Sequence, residues 1–212
     1  MTRVLIFANG ELPDLAAAAA LLRTGDVILA ADGGTRHALQ LGLMPSLVVG
    51  DMDSLPLDQR RQVEAAGVRL IPYPHDKNET DLELAIRHAL ELRPESILLI
   101  GVLGRRLDHM LGNLSLLSDP AYAAYDIRAD DGVEEVFFCR RQVAIRGKAG
   151  EILSLIPWGV DVSGVQTAGL KWPLADETLY AVKTRGISNE LTGETASVEI
   201  ATGLLLVVHR RM

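Results

Sequence analysis

In the first part of the chain, short apolar segments alternate with segments of helical pattern, and this alternation restricts the fold more than any other feature. The predicted strands span residues 3–8, 27–31, 47–49, 68–71 and 96–102. A parallel strand pair needs a long crossover, which is usually a helix. The alternation therefore predicts a mostly parallel, Rossmann-like α/β sheet with helices on both faces.

Helical signals occupy the segments between these strands. The predicted helices span residues 13–25, 58–66 and 106–117, and a fourth lies between Thr80 and Pro94. The fourth is the clearest, because its apolar residues recur at helical spacing until the proline stops it. In the first, Pro13 and Gly25 stand where proline and glycine favour helix ends.

After about Tyr125 the pattern changes to short β-rich segments separated by glycines. The predicted strands span residues 126–129, 133–139, 142–145, 152–156, 179–184, 198–200 and 204–208. Such a series is typical of a small sandwich or barrel. We predict an α/β domain over residues 1–135 and an all-β sandwich domain over residues 136–212.

Charge and composition narrow the class of function. The net charge of −7 argues against a nucleic-acid-binding protein, which normally presents a basic face. No secretion signal is evident and no apolar run approaches the roughly 20 residues of a membrane span, so we expect a cytoplasmic protein with no membrane contact. The one cysteine, Cys139, is predicted to be a buried thiol rather than a nucleophile.

Asp51 and Asp53 follow the third predicted strand. In an extended chain both carboxylates would point the same way and could share a divalent cation such as Mg²⁺. The alternative is structural, with Asp53 and Ser54 capping the next helix. Asp81, at the start of the fourth helix, could likewise hold metal near Lys77, or Thr80 and Glu83 could simply form a capping box.

Two further segments follow predicted strands. Asp32-Gly33-Gly34 could let the backbone approach a ligand, or could be only a strand-to-helix turn. The chain lacks a complete dinucleotide fingerprint and a P-loop, which argues against a standard dehydrogenase or P-loop kinase. In residues 104–109 the arginines suit phosphate oxygens, whereas salt bridging at a helix start is the structural alternative.

Six ordered segments together resemble the thiamine pyrophosphokinase family. They are residues 31–34, 49–54, 76–81, 104–109 with Asn113, 169–172 and 186–190. The resemblance implies that ATP transfers its terminal pyrophosphoryl group to the thiamine hydroxyl, with magnesium, to give thiamine diphosphate and AMP. It also implies a homodimer whose active sites lie between subunits.

The resemblance further implies roles for individual residues. Asp51, Asp53 and Asp81 would be catalytic and would bind the metal. ATP would be bound by Asp32, Gly33, Gly34, Lys77, Thr80, Arg105, Asp108, His109 and Asn113. Thiamine would be bound by Trp172, Ser188 and Asn189, with the Trp172 ring as an aromatic wall for the flat cation.

Alternatives remain open from the sequence. Trp172 precedes Pro173 and could close a β turn or belong to the core, and the family often has an aspartate where this chain has Asn78. The nearest functional rivals are a pyrophosphokinase acting on another alcohol, such as a hydroxymethylpterin, and a noncatalytic sensor of thiamine or nucleotide.

Overall fold

The computed structural model describes residues 2–104 and 106–212. The chain divides into two compact units, Met1–Gly132 and Val133–Met212, and each is described by itself. The predicted boundary after residue 135 lies within a few residues of this division.

Over the described residues, the first unit is a six-stranded parallel sheet with five α-helices. Its strands are β1 (Arg3–Phe7), β2 (Val27–Ala31), β3 (Leu47–Gly50), β4 (Arg69–Pro72), β5 (Ser96–Ile100) and β6 (Asp126–Asp130), in the spatial order β6-β5-β1-β2-β3-β4. Its helices are α1 (Leu15–Ala20), α2 (Thr35–Gln40), α3 (Leu57–Ala65), α4 (Asp81–Glu91) and α5 (Leu107–Leu117). The parallel α/β prediction is confirmed.

Helices cover both faces of this sheet, which is why its central strand β1 is buried along Val4–Phe7. Leu5 and Phe7 of β1 pack in one cluster with Ala38 of α2. The intervening Ile6 is also fully buried, and α4 packs against β1, β2 and β3 with its residue Ile86 buried. Each such side chain contributes about 1.5–3 kcal/mol of hydrophobic stabilisation.

The order of the strands reverses at β1, which pairs with β2 on one side and with β5 on the other. The chain connections therefore diverge beyond the carboxyl ends of β1 and β5. In open parallel sheets this divergence leaves a crevice where ligands bind.

The second unit is a sandwich of two antiparallel sheets. Its strands are β7 (Glu134–Cys139), β8 (Gln142–Arg146), β9 (Ile152–Pro157), β10 (Val162–Ala168), β11 (Glu177–Leu179), β12 (Asn189–Glu190), β13 (Thr195–Glu199) and β14 (Leu205–Arg210). One sheet has the order β12-β9-β14-β7 and the other β11-β10-β13-β8. Side chains from both sheets, such as Leu155 and Val198, form one core, so the sandwich prediction is confirmed.

Several predicted elements differ from the structure. Helix α1 begins at Leu15 rather than Pro13, because the Asp14 carboxylate accepts hydrogen bonds from the first turn. The segment at residues 126–129 belongs to the parallel sheet as β6. The strand predicted over residues 179–184 ends at Leu179, and β10 was missed because its polar residues and Gly164 obscure the alternation.

The sequence predicted that Cys139 is a buried thiol and that the chain has no membrane span. Cys139 is buried in β7, and burial raises the pKa of its thiol to about 11, as expected for an inert core residue. Among the described residues, 2–104 and 106–212, no helix has the length and apolar character needed to cross a membrane.

His209 of β14 is buried between two carboxylates of the second unit. Its Nε2 lies 2.8 Å from a Glu151 oxygen and its Nδ1 lies 3.7 Å from a Glu135 oxygen. Glu135 and Glu151 raise the pKa of His209, while burial and Arg211 oppose this shift. Since the folded-state pKa exceeds the unfolded value of about 6.5, the stability from this cluster is full below that pH and is lost as pH rises through the folded-state pKa.

We therefore expect the thermal midpoint of the wild-type protein to fall more than that of His209→Gln between about pH 6 and about pH 9. Thermal unfolding followed by circular dichroism at the two pH values measures this difference. Parallel pH dependence in the two proteins would contradict the assignment to His209.

Candidate active site

A cleft of about 630 Å³ opens at the carboxyl edge of the parallel sheet. Asn9 and Gly10 follow β1, Asp32 follows β2 and Gly101 follows β5, and all four line this cleft. The amino-terminal turn of α4 and one face of α5 form further walls. The cleft thus lies where the order of the strands reverses, as expected for an open parallel sheet.

Three carboxylates meet at this edge of the sheet. Oxygens of Asp32, Asp51 and Asp81 lie within 4.8 Å of one another. Asp32 follows β2, Asp51 follows β3 and Asp81 is the first residue of α4. The Thr80 hydroxyl accepts a hydrogen bond from the Glu83 N–H at 3.2 Å, which caps α4 and holds Asp81 at the positive end of the helix.

Gly50, the last residue of β3, makes this convergence possible. Its φ is +147°, a conformation that L side chains rarely adopt. A β-carbon at this position would lie 2.8 Å from Cβ of Asp32 and 3.0 Å from Cγ of Asp81. The absence of a side chain at Gly50 therefore lets the other two residues approach Asp51.

The cluster carries uncompensated negative charge. Burial raises the pKa of Asp32 and Asp81, and the neighbouring carboxylates act in the same direction. Lys77 opposes the shift at Asp81, because its Nζ lies 3.0 Å from Asp81 Oδ1 and 3.9 Å from Asp51 Oδ2. One ammonium group does not balance three carboxylates, so a further cation would be bound favourably.

Asp32 gives the clearest indication of what that cation is. The residue is only 6% exposed, and its Oδ1 has no hydrogen-bond partner among residues 2–104 and 106–212. Its Oδ2 accepts from the Ser54 N–H at 3.3 Å. Converging hard oxygen atoms with a free coordination position fit Mg²⁺. The family resemblance implied a nucleotide-binding role for Asp32, whereas the structure brings it into the carboxylate cluster.

The local conformation at Asp53 differs from the expectation. The chain is not extended after β3, because Met52 has φ +65° and the Asp53 N–H donates to Asp51 Oδ1 at 3.2 Å. Asp53 still lies near Asp51, in a second, more exposed group with His75. The predicted metal residues Asp51, Asp53 and Asp81 thus fall into two overlapping clusters that share Asp51.

The structural alternatives for these segments are partly wrong. Helix α3 begins after Pro56 with no side-chain cap, so neither Asp53 nor Ser54 caps it. At α4 the cap by Thr80 is present, but the carboxylate of Glu83 lies 4.0 Å from Arg87 rather than completing a capping box.

The segment at the start of α5 forms one rim of the cleft. Arg106 Nη2 lies 2.6 Å from an oxygen of Asp108, and this pair lowers the pKa of Asp108. His109 and Asn113 line the cleft, and Asn113 Nδ2 donates to the Val102 carbonyl at 2.9 Å. Arg105, predicted to bind phosphate, lies outside the described residues.

The glycine pair after β2 has a packing role. A β-carbon at Gly34 would collide with the backbone of β1, and one at Gly33 would lie 2.6 Å from the Asn9 side chain. The structure therefore places both glycines against the end of β1 rather than among the cleft residues. Asn9, which accepts from Arg36 at 3.3 Å, was missed by the sequence analysis; its place directly after the first strand was the available signal.

In the second unit, Trp172 and Asn189 are joined by two hydrogen bonds. The Trp172 N–H donates to Asn189 Oδ1 at 3.1 Å, and Asn189 Nδ2 donates to the Trp172 carbonyl at 2.7 Å. Asn189 is buried, whereas 53% of Trp172 is exposed. Ser188, with φ +59°, lies next to this pair. Asn189 thus anchors the backbone of an exposed indole, and Trp172 is not a core residue.

Each of the two tryptophans makes a further side-chain contact in the second unit. The ammonium of Lys171 lies 4.7 Å from the centre of the Trp172 ring and 2.8 Å from Glu190. Trp158 packs edge-to-face on Phe138 with 5.5 Å between the ring centroids, a packing role in the second unit.

Both units match models of the same protein family. Residues 18–129 match the family model "Thiamin pyrophosphokinase, catalytic domain", and residues 141–205 match "Thiamin pyrophosphokinase, vitamin B1 binding domain". The thiamine pyrophosphokinase of Bacillus subtilis is 33% identical over 179 residues, which are 84% of each chain. Thiamine pyrophosphokinase 2 of Arabidopsis thaliana is 31% identical over 77% of this chain and 65% of its own length.

Solved structures give the same result. The crystal structure of thiamine pyrophosphokinase from Bacillus subtilis superposes with a TM-score of 0.89 at 27% identity, over 100% of this chain and 99% of that chain. The enzyme from Geobacillus thermodenitrificans superposes with a TM-score of 0.85 at 27% identity, over 100% and 98%. By sequence and by structure, the chain belongs to the thiamin pyrophosphokinase family.

Proposed function

We propose that this protein transfers the pyrophosphoryl group of ATP to the hydroxyl of thiamine, giving thiamine diphosphate and AMP. Family membership supports the activity and ATP as co-substrate. The observation that carries the site assignment is the cluster of Asp32, Asp51 and Asp81 beside Lys77; Asp32, Asp81 and Lys77 also line the cleft.

Asp32, Asp51 and Asp81 would hold Mg²⁺, with Asp53 available from the adjoining group. Bound magnesium would neutralise charge on the phosphates and orient them for in-line attack. Asn78, which stands where the family often has aspartate, remains outside this proposed set. In this proposal Asp51, Asp53 and Asp81 stay the catalytic carboxylates.

Lys77 supplies the positive charge for the phosphate oxygens. Its ammonium is held by Asp81 and by the Pro74 carbonyl, at 3.0 Å and 3.2 Å, so it is already oriented when the nucleotide arrives. A group aimed in advance at developing negative charge is effective because it needs no reorganisation during the reaction. Arg105, Asp108, His109 and Asn113 remain proposed nucleotide-binding residues.

Thiamine would be bound by Trp172, Ser188 and Asn189. The exposed indole offers a flat, electron-rich face to a cationic heterocycle. Asn189 acts through Trp172, since both ends of its amide are hydrogen-bonded to the Trp172 backbone.

We predict that Trp172→Ala raises the KM for thiamine about tenfold or more and leaves the KM for ATP unchanged, because an aromatic contact of this kind contributes about 1–2 kcal/mol. Steady-state kinetics in each substrate measure the difference. The matched control is Trp158→Phe, which alters the tryptophan packed on Phe138. That control also leaves Trp172 as the sole tryptophan, so thiamine should quench its fluorescence.

Product analysis tests the reaction itself. With thiamine, ATP and magnesium, chromatography should show equal amounts of thiamine diphosphate and AMP. Formation of ADP with thiamine monophosphate would overturn pyrophosphoryl transfer, and preference for a hydroxymethylpterin would overturn the choice of acceptor. Tight binding of thiamine or ATP without turnover would instead indicate a sensor.

We further propose that the active assembly is a homodimer with its active sites between subunits, in the cytoplasm. The exposed apolar side chains of Tyr180, Val182 and Ile187 support an association surface in the second unit. Sedimentation velocity should give twice the monomer mass of 22.9 kDa. A monomer that is fully active would overturn the proposed assembly.

A further inference from the structure

Gly112 occupies the interior of α5, an 11-residue helix. Glycine is unfavourable there relative to alanine, because it loses more backbone freedom on folding and exposes the helix backbone to water. A glycine in this position needs either a packing reason or a functional reason.

Packing gives no reason for this glycine. A β-carbon at Gly112 would meet nothing within 4 Å, and Gly112 is not among the residues with positive φ. Gly34 and Gly50 differ, because a β-carbon at either would strike neighbouring atoms. Alanine at position 112 would therefore fit the fold without strain.

The space beside Gly112 is the cleft. Gly112 lines it together with Leu116, one helical turn along α5, and with Leu82 of α4. Leu82 and Leu116 are apolar residues of the lining, whereas Lys77 and the carboxylates of Asp32 and Asp81 are charged residues of it. A side chain at position 112 would project into the volume that a ligand needs.

We propose that Gly112 is a specificity-determining position whose missing side chain leaves room for the base and ribose of the nucleoside triphosphate. The inference rests on the proposed function, in which the cleft takes ATP. The triphosphate belongs near Lys77 and the metal-binding carboxylates, because its charge needs cations. The flat base belongs near Leu82 and Leu116, because apolar side chains suit an aromatic ring.

The variants Gly112→Ala and Gly112→Leu test this proposal, with Gly193→Ala as the matched control. A β-carbon at Gly193 also meets nothing within 4 Å, and this glycine lies in the second unit outside the cleft. Alanine and leucine both favour helix, so the folds are expected to be intact, with thermal midpoints of the position-112 variants at or above wild type. Calorimetry measures binding of AMP and of inorganic tripolyphosphate, each with magnesium.

We expect Gly112→Ala to weaken AMP binding about tenfold and Gly112→Leu to weaken it further, as overfilling a packed site does. Tripolyphosphate, which has no nucleoside, should bind all proteins equally. Turnover by Gly112→Leu should shift in favour of the smaller pyrimidine triphosphates relative to ATP. Gly193→Ala should bind both probes as wild type does.

Unchanged AMP affinity in both position-112 variants would overturn the proposal, as would an equal loss for tripolyphosphate. These binding results do not depend on turnover of thiamine. If product analysis fails to show thiamine diphosphate while AMP binding still responds at position 112, the proposed function fails and the nucleoside site remains.

Discussion

Asp51→Asn is expected to lower kcat about a thousandfold, the scale seen when a transition-state charge contact is removed. Asp51 belongs to both acidic groups, so its loss removes a ligand from each. Asparagine keeps the shape of the side chain but lacks the charge that attracts a divalent cation. Steady-state kinetics at saturating thiamine, ATP and magnesium measure the effect.

Thermal midpoints distinguish the loss of a metal-binding carboxylate in Asp51→Asn from misfolding of the variant. The variant has less repulsion among the carboxylates near Asp32 and Asp81, so its thermal midpoint without magnesium should be no lower than that of the wild type. Magnesium should raise the midpoint of the wild type and raise that of Asp51→Asn less. Asp58→Asn, an exposed change in the first turn of α3, should behave as wild type. Near-normal turnover by Asp51→Asn would remove Asp51 from the metal site.

Gly50→Ala should both inactivate and destabilise the protein. The new methyl group would lie 2.8 Å from Cβ of Asp32 and 3.0 Å from Cγ of Asp81, at a φ of +147° that alanine rarely adopts. Backbone strain and overpacking together should cost about 3 kcal/mol of unfolding free energy. Displacing two carboxylates from Asp51 should also weaken magnesium binding. Denaturant unfolding and turnover measure the two effects.

Gly42→Ala is the control for backbone strain alone. Gly42 also has a positive φ, +72°, but a β-carbon there meets nothing within 4 Å. It should lose about 1 kcal/mol of unfolding free energy and keep its activity. If Gly50→Ala resembles Gly42→Ala in both measurements, the close approach at Gly50 is not what holds the cluster.

The parallel sheet was predictable because its signal is local. In β1 every residue from Val4 to Phe7 is fully buried, and an uninterrupted apolar segment of that length is what a strand covered on both faces requires. Thr80 likewise marks the start of α4 through its side-chain cap, and Pro94 stands just beyond the end because proline cannot continue a helix. Strand β10 was missed because Ser163 and Gly164 separate its buried residues Val162 and Val165 and interrupt the alternation, at the point where the register shifts.

The site was predictable as a set of residues but not as an arrangement. Asp51 and Asp53 are two positions apart, yet the positive φ of Met52 turns the chain between them. Asp32 joins the cluster from a different strand, and no spacing in the sequence indicates that its Oδ1 is buried without a hydrogen bond among the described residues. Asn189 has no sequence signal for its two bonds to the Trp172 backbone.

By itself, the sequence determined that the chain forms a parallel α/β unit followed by a β sandwich, and that acidic residues follow its strands. Periodicity and helix capping act over a few neighbouring residues, so they can be recognised along the chain. Only the tertiary structure decided which carboxylates meet. The pairing of β2 with β3, the packing of α4 and the missing side chain at Gly50 bring Asp32, Asp51 and Asp81 together, and these are contacts between residues far apart in sequence.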